Sequence, residues 1–196
     1  MSLPQPSSDG SSTFADLGEF SADERSLLLR LAHESILSAL AHRDISLEPP
    51  TAHLAQPRGV FTSLYLHGNL RGCVGYVLPR HSVYQAAAET ARAAAFEDPR
   101  FPAVTPAEGP DLTIELSILS VPQLIAAENI EIGRHGLLIS QDNHRGLLLP
   151  QVPIEYGWDR ETFLQQTCRK AGLPADAWKH GARIEGFTAE VFGEKS

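Results

Sequence analysis

The feature of the sequence best suited to do chemistry is a thiol between glycines, in Leu70-Arg71-Gly72-Cys73-Val74-Gly75. A thiolate is a strong nucleophile and a metal ligand, and a neighbouring guanidinium favours that charged form. Cys73 beside Arg71 is therefore a candidate nucleophile. Glycine inside a strand weakens it unless a bulge or a close backbone approach needs the missing side chain, so Gly72 and Gly75 read as places where a substrate backbone could come near. The competing reading of Cys73 is packing, because free cysteine is among the most often buried residue types. Arg71 and Arg100 each offer a planar fork for a ligand carboxylate or phosphate. Either could instead pair with a structural carboxylate such as Asp98 or Glu115. For Arg100, in Asp98-Pro99-Arg100-Phe101-Pro102, the structural reading is preferred, with Asp98 pinning the loop; for Arg71 the two readings stand level.

His135 precedes Gly136 at the start of an apolar run and could serve as a general base, although a turn-stabilising role is the simpler reading. Glu115 alternates with Leu112, Ile114, Leu116 and Ile118, so it lies opposite the apolar face of its strand. That face is either solvated or lines a site where Glu115 is an acid–base residue. A Cys73–His135 dyad oriented by Glu115 or Glu155 is a geometric conjecture at this stage. No short ligand spacing joins Cys73, His67 and His135, so no metal is expected. No phosphate-cradling or dinucleotide fingerprint occurs either, and no cofactor is expected. Cys168, between Thr167 and Arg169 in a helical stretch, reads as structural.

Several elements must position these groups. Ser21 and Glu24 form a capping box ahead of Leu28, Leu31, Ala32, Ser35, Ile36, Ala39 and Leu40, which mark one face of a helix ending before Pro49-Pro50. Val60 to Leu66 and Leu70 to Leu78 read as a hairpin about His67-Gly68-Asn69. A second capping box, Ser82 with Gln85, opens an alanine-rich helix that stops at Asp98-Pro99. Leu112 to Leu119 is a half-buried strand. Leu137 to Ser140 and Leu147 to Leu149 form a second hairpin about Asp142 to Gly146. Asp159 caps a helix to about Ala171, with Gly172 as its stop. Ala182 to Phe192 reads as one last strand with a bulge near Gly186. Trp158 and Trp178 read as anchors between helices and sheet. Helices and hairpins without regular strand–helix–strand alternation predict an α+β fold with antiparallel sheets. Residues 1–18, rich in Ser, Pro, Gly and Asp, predict a disordered tail.

Composition narrows the function classes. The chain has 196 residues, 42% hydrophobic and 20% charged, enough for one domain or two small subdomains. The net charge of −8, with 13 arginines and three lysines, argues against a general nucleic-acid binder, which would gain affinity by neutralising phosphates. A small-molecule or peptide ligand fits better. No apolar run approaches the ~20 residues of a membrane span, and no secretory signal pattern is present. The expectation is a cytoplasmic protein that binds neither membrane nor nucleic acid, with reduced thiols.

The hexapeptide around Cys73 resembles the LRGCIG signature of the AMMECR domain family, whose bacterial members are protein A of the AmmeMemoRadiSam system. The likeness continues in register. Glu97-Asp98-Pro99-Arg100-Phe101-Pro102 resembles the family's D-x-R-F-P element, and His135-Gly136 opens a strand as it does there. Leu149-Pro150-Gln151-Val152, Glu155 and Trp158-Asp159 resemble its L-P-x-V…E…W-D run, and Lys170-Ala171-Gly172 its K-x-G helix end. Val74 stands for the usual Ile, and Pro153 for a common Ala. The resemblance covers roughly residues 20 to 192. It implies two subdomains, each an antiparallel sheet with helices, and a cleft between them that the signature strand faces. Mapped here, the larger would be 19–120 plus 181–196 and the smaller, inserted one 121–180. It further implies a pathway shared with a Memo-like protein and a radical-SAM protein, but no particular reaction. Together these readings point to an enzyme at a cleft around Cys73, with Arg71 placing an anionic group, or alternatively to a non-catalytic peptide- or protein-binding module.

Overall fold

A computed structural model describes residues 18–194. All but Gly18 of the tail expected over residues 1–18 lies outside the described residues. Two four-stranded antiparallel sheets organise the chain, each with its own apolar core and its own helices.

The first sheet has strand order β2-β1-β3-β8, with β1 Val60–Leu66, β2 Asn69–Tyr76, β3 Leu112–Leu119 and β8 Ala189–Gly193. Helices α1 (Ala22–Leu40) and α2 (Val83–Phe96) cover one face. The α1 capping box forms as its sequence requires, with Ser21 and Glu24 exchanging bonds. At α2 only half of the expected box is made: Ser82 Oγ accepts the Gln85 amide. Alanines 86, 87, 91, 94 and 95 form the buried face of α2, and their short side chains let the helix backbone come close to the sheet. A buried hydroxyl pair, Thr62 donating to Thr90 at 2.7 Å while Thr90 donates to the Ala86 carbonyl, ties β1 to that helix.

The β1–β2 turn places His67 at φ 51° and Gly68 at φ 76°. This two-residue left-handed turn matches the strand twist. In register, Val60, Leu64 and Ile114 point into the core, and so do Val74 and Tyr76. The intervening Phe61, Ser63, Tyr65, Arg71, Cys73, Thr113 and Glu115 occupy the opposite face, because side chains alternate along a strand.

The second sheet has order β4-β7-β5-β6, with β4 Gln123–Leu124, β5 Gly136–Gln141, β6 His144–Leu148 and β7 Arg183–Phe187. Helix α4 (Arg160–Lys170) packs on it through Phe163, Leu164 and the fully buried Cys168, whose thiol is pushed up by burial. Trp158 and Trp178 pack against the same core. Asp159 caps α4 by accepting the Thr162 amide at 2.8 Å, and Gly172 ends it at φ 74°. A short helix α3 (Gln151–Glu155) precedes it.

Two expectations change here. The strand predicted over Ala182 to Phe192 is two strands in different sheets: β7 pairs with β4 and β5, and β8 with β3. The break falls at Thr188 and not at a bulge near Gly186, which runs in continuous register with Leu137. Residues 183–187 thus belong with the second sheet, and the chain rejoins the first only after Thr188. The reason is a reciprocal bond at the crossing: Ser120 donates its amide to the Thr188 carbonyl, and Thr188 donates its amide to Ser120 Oγ, both at 2.9 Å.

Among the described residues, no helix is long and apolar enough to cross a membrane.

Candidate functional site

Cys73 lies half-buried on the sheet face away from α1 and α2, and it heads a row of side chains running straight across the strands. The register pairs Cys73 with Ser63, Ser63 with Glu115, and Glu115 with Gly193. Ser63 Oγ donates to Cys73 Sγ at 3.4 Å. The Cys73 amide donates to Asp98 Oδ2 at 2.8 Å and its carbonyl accepts from Arg100 Nη2 at 3.3 Å, so both point away from β1. Ser63–Cys73 is therefore the narrow kind of antiparallel pair, with Cα atoms about 4.5 Å apart, and Ser63–Glu115 the wider kind, about 5.5 Å apart. The Glu115 carboxylate makes no hydrogen bond or ion pair among the described residues. Tyr65, two residues along β1, shares the face. Its hydroxyl is pushed up, first by burial and then by the Glu115 charge, against a hydrogen bond with Ser63. A cavity of about 210 Å³ lies beside the row, lined by Tyr65, Gly68, Thr113, Glu115 and Glu194 among others.

The loop after α2 supplies the cation. Asp98, buried, accepts four bonds: the Cys73 amide and Arg100 Nη2 on Oδ2, and the Arg100 amide and Nε on Oδ1. Hydrogen bonds from Arg100 first, and then from the Cys73 amide, hold its carboxyl well below the usual carboxylate range. Arg100 in turn keeps its proton more firmly than usual, chiefly through its bonds to Asp98, with the charge and hydrogen bond of Cys73 adding to the effect. Its Nη1 makes no bond among the described residues, and the side chain is 56% exposed. Asp98 thus pins the loop, as the sequence suggested, and in doing so holds the guanidinium at the backbone carbonyl of Cys73.

Arg71 does not fill the role expected of it. Its side chain, 11% exposed, donates to both Glu108 oxygens at 2.9 and 3.2 Å and to the Pro102 and Ala103 carbonyls at 2.7 and 3.2 Å. It clamps the 102–108 loop, and no anion-holding fork is left. Glu108 was not singled out from sequence. Its signal was the Thr105-Pro106-Ala107-Glu108 spacing, a side chain returning to a Thr three residues back.

Arg71 first, then the Thr105 amide and hydroxyl, lower the Glu108 carboxyl to about 2. A carboxylate depressed on folding stabilises the fold above its unfolded value, roughly 4.3, and that stability is lost as pH falls through the folded value. Glu108→Gln should therefore melt below wild type at pH 6, and the gap should close between pH 4 and 2. A series of melting curves against pH reads this out.

Gly72 and Gly75 also serve packing and not substrate approach. A Cβ on Gly72 would sit 2.1 Å from the Ala94 carbonyl oxygen of α2, and one on Gly75 would sit 2.4 Å from the Val60 carbonyl and 2.5 Å from Phe61. The close approach that these glycines permit is by the protein's own backbone. His135 lies in the turn before β5, in the second sheet's half. There its Nδ1 accepts the Glu131 amide at 3.0 Å, the turn-stabilising role. None of its hydrogen bonds among the described residues is to the Cys73 row. The crevice between the sheets, about 200 Å³, is lined by Val77, Leu78, Leu138 and Leu147. It opens beyond the end of β2, about 13 Å along the strand from Cys73. The row therefore unites Cys73 and Glu115 of the expected residues, with Arg100 beside them. It adds Ser63 and Tyr65, which alternation along β1 could have placed there, and leaves out Arg71, both glycines and His135. No group of three or more His, Cys, Asp and Glu among the described residues is placed to hold a metal ion.

The family model AMMECR1 matches residues 29–192, a span that includes Ser63, Cys73, Arg100 and Glu115. The chain belongs to the AMMECR1 family. Similar AMMECR1-type relatives are archaeal. Protein TK0174 of Thermococcus kodakarensis is 43% identical over 183 residues, which are 86% of this chain and 89% of the relative. Protein MK0488 of Methanopyrus kandleri is 42% identical over 185 residues, 88% and 89% of the two chains. The crystal structure of the uncharacterized protein PH0010 from Pyrococcus horikoshii has a similar fold. Its TM-score is 0.66 at 39% identity, covering 86% of this chain and 90% of that one.

Proposed function

We propose that this AMMECR1 protein is a cytoplasmic thiol enzyme in which Cys73 attacks an electrophilic carbon of a small anionic or peptide-like substrate. One observation carries the reading: the Cys73 sulfur sits in a row with Ser63 and Glu115, whose carboxylate is unpaired, while the half-exposed Arg100 guanidinium is held at the backbone carbonyl of the same cysteine. The Arg100 guanidinium holds the substrate's anionic group, the part first expected of Arg71. Cys73 attacks as the thiolate, its proton lost to water, while the Ser63 hydroxyl donates to the sulfur. As the sulfur–carbon bond forms, the bond to the leaving group breaks and that group takes a proton from water; a second water, with the Glu115 carboxylate as its base, then hydrolyses the Cys73–carbon bond and restores the thiol. Family resemblance extends the reading to a pathway shared with a Memo-like protein and a radical-SAM protein.

Two alkylating reagents of the same size test it, iodoacetate as the anion and iodoacetamide as the neutral control. Relative to free cysteine, Cys73 should prefer iodoacetate by roughly fivefold at low salt, the size of one partly exposed ion pair. The preference should fall to the free-cysteine value in Arg100→Gln and in 0.5 M salt. Cys168 is fully buried and should stay unlabelled in the native chain. A Cys73 that reacts with neither reagent, together with retention of a Memo-like partner by Cys73→Ala, would favour the non-catalytic binding module instead.

A further inference from the structure

We infer that the crevice between the two sheets binds a small aliphatic carboxylate, its carboxylate on Arg145 and its hydrocarbon chain on Leu78, Leu138 and Leu147. This site is separate from the Cys73 row and does not depend on it. It lies on the face of the second sheet turned away from α4. A Cβ on Gly146 would meet the Ala171 amide nitrogen, just past the end of α4, at 2.2 Å. Gly146 therefore faces that helix, and its neighbours Arg145 and Leu147 face the other way. The register continues this face across β6, β5 and β7. Arg145 stands opposite Ser140 and Ser140 opposite Arg183; in the next row of the same face, Leu147 stands opposite Leu138 and Leu138 opposite Glu185. The face thus changes from apolar to cationic between adjacent rows.

Two cavities meet at Arg145. The crevice, about 200 Å³, is lined by Val77, Leu78, Leu138, Gly146 and Leu147. The other cavity, about 450 Å³, is lined by Ser140, Asp142, His144 and Arg183 among others, and Arg145 lines both. Among the described residues lining the crevice, Arg145 alone is charged. Asp142 and Glu185 line only the polar cavity, and Glu185 is taken up by Arg183 at 3.1 Å. The exposed Arg145 side chain makes no hydrogen bond or ion pair among the described residues. An apolar pocket with a single charged group at its rim is the pattern of a small-molecule site, and a guanidinium grips a carboxylate through two parallel N–H bonds. Leu78 is 40% exposed, so a chain laid on it would remove apolar surface from water. A wholly polar anion would leave the leucines wet, and a neutral hydrocarbon would leave Arg145 unpaired. An aliphatic carboxylate satisfies both.

The probes are sodium butyrate, sodium hexanoate and hexan-1-ol, titrated into the full chain and followed by the amide chemical shifts of Arg145, Gly146 and Leu147. Hexanoate should bind roughly fifteenfold more tightly than butyrate, the gain from two further methylenes leaving water. Hexanol should bind roughly fivefold more weakly than hexanoate, the worth of one partly exposed ion pair. Arg145→Gln should bring hexanoate down to the level of hexanol and leave hexanol unchanged. Leu78→Ser, at a position exposed enough to spare the fold, should shrink the gain from butyrate to hexanoate and keep the preference for the anion. Prior alkylation of Cys73 should alter none of these affinities, so that failure of the thiol reading leaves this one standing. The inference is overturned if hexanol matches hexanoate, if hexanoate gains nothing over butyrate, if Arg145→Gln keeps the wild-type affinity for hexanoate, or if the shifts fall outside the crevice.

Discussion

Asp98→Asn is expected to abolish the iodoacetate preference of Cys73 and to free the Cys73 amide, although residue 98 touches no reagent. The native carboxylate accepts four donors, two on each oxygen. An amide side chain keeps one acceptor oxygen and turns an NH2 group towards two donors, so one pair of bonds is lost and replaced by donor–donor repulsion. A buried donor left unmatched is costly in a way that the loss of a surface bond is not. Arg100 then swings away from the β2 edge, and the ratio of alkylation rates should fall to that of free cysteine. Exchange of the Cys73 amide with deuterium should speed up by at least roughly tenfold. A variant that keeps both the ratio and the protected amide would mean that some other contact holds Arg100. In wild type the carboxyl ionises well below the usual range. The clip contributes above the unfolded value, near 3.9, and should persist as pH falls below it, failing only towards the lower folded value.

Gly72→Ala is expected to cost the most stability of any single methyl group added to the sheet. The new Cβ would meet the Ala94 carbonyl oxygen at 2.1 Å. No rotamer relieves that contact, because the obstacle is helix backbone. Either α2 lifts off the sheet or β2 bows, and both open the core that Val74, Val60 and Ala91 share. Overpacking of this kind costs about 3 kcal/mol, a fall in melting temperature of roughly 6–12 °C for a chain of this size. Adding Ala94→Gly should not rescue it, since the clashing atom remains. Rescue by that second change would place the conflict in the Ala94 side chain instead. Thermal unfolding of the two variants distinguishes these cases.

The contrast between these residues explains what could be read from sequence. Elements governed by local rules were legible: the Ser21 capping box, the His67-Gly68 turn and the alternating Leu112–Leu119 strand all depend on neighbours a few positions away. The anomaly of Gly72 and Gly75 was visible too, but not its cause. Sequence says that a side chain is forbidden and does not say what approaches; here it is α2 and β1 and not a substrate. The sequence favours a structural role for Arg100, 27 residues from the thiol, and leaves Arg71, beside it, level between two roles. Only the fold decides that the near one turns to Glu108 while the distant one reaches the Cys73 carbonyl. The row of Cys73, Ser63 and Glu115 depends on strand order and register, which bring together residues up to 52 positions apart. The final strand misled because an alternation that slips by one residue is equally compatible with one bulged strand or with two strands that change sheets at Thr188.

The bonds from Asp98 and Arg100 to Cys73 have a further effect, on the molecule's neighbours. β2 is the outermost strand of its sheet, and such a strand offers unpaired amides and carbonyls as a template for another chain. At its midpoint both backbone groups are already engaged by the loop. A foreign strand trying to zip along β2 would have to displace a buried carboxylate and a guanidinium before its second bond could form. The loop that equips the thiol therefore also guards the protein against self-association, and concentrated solutions of Asp98 variants should form oligomers through this edge where wild type does not.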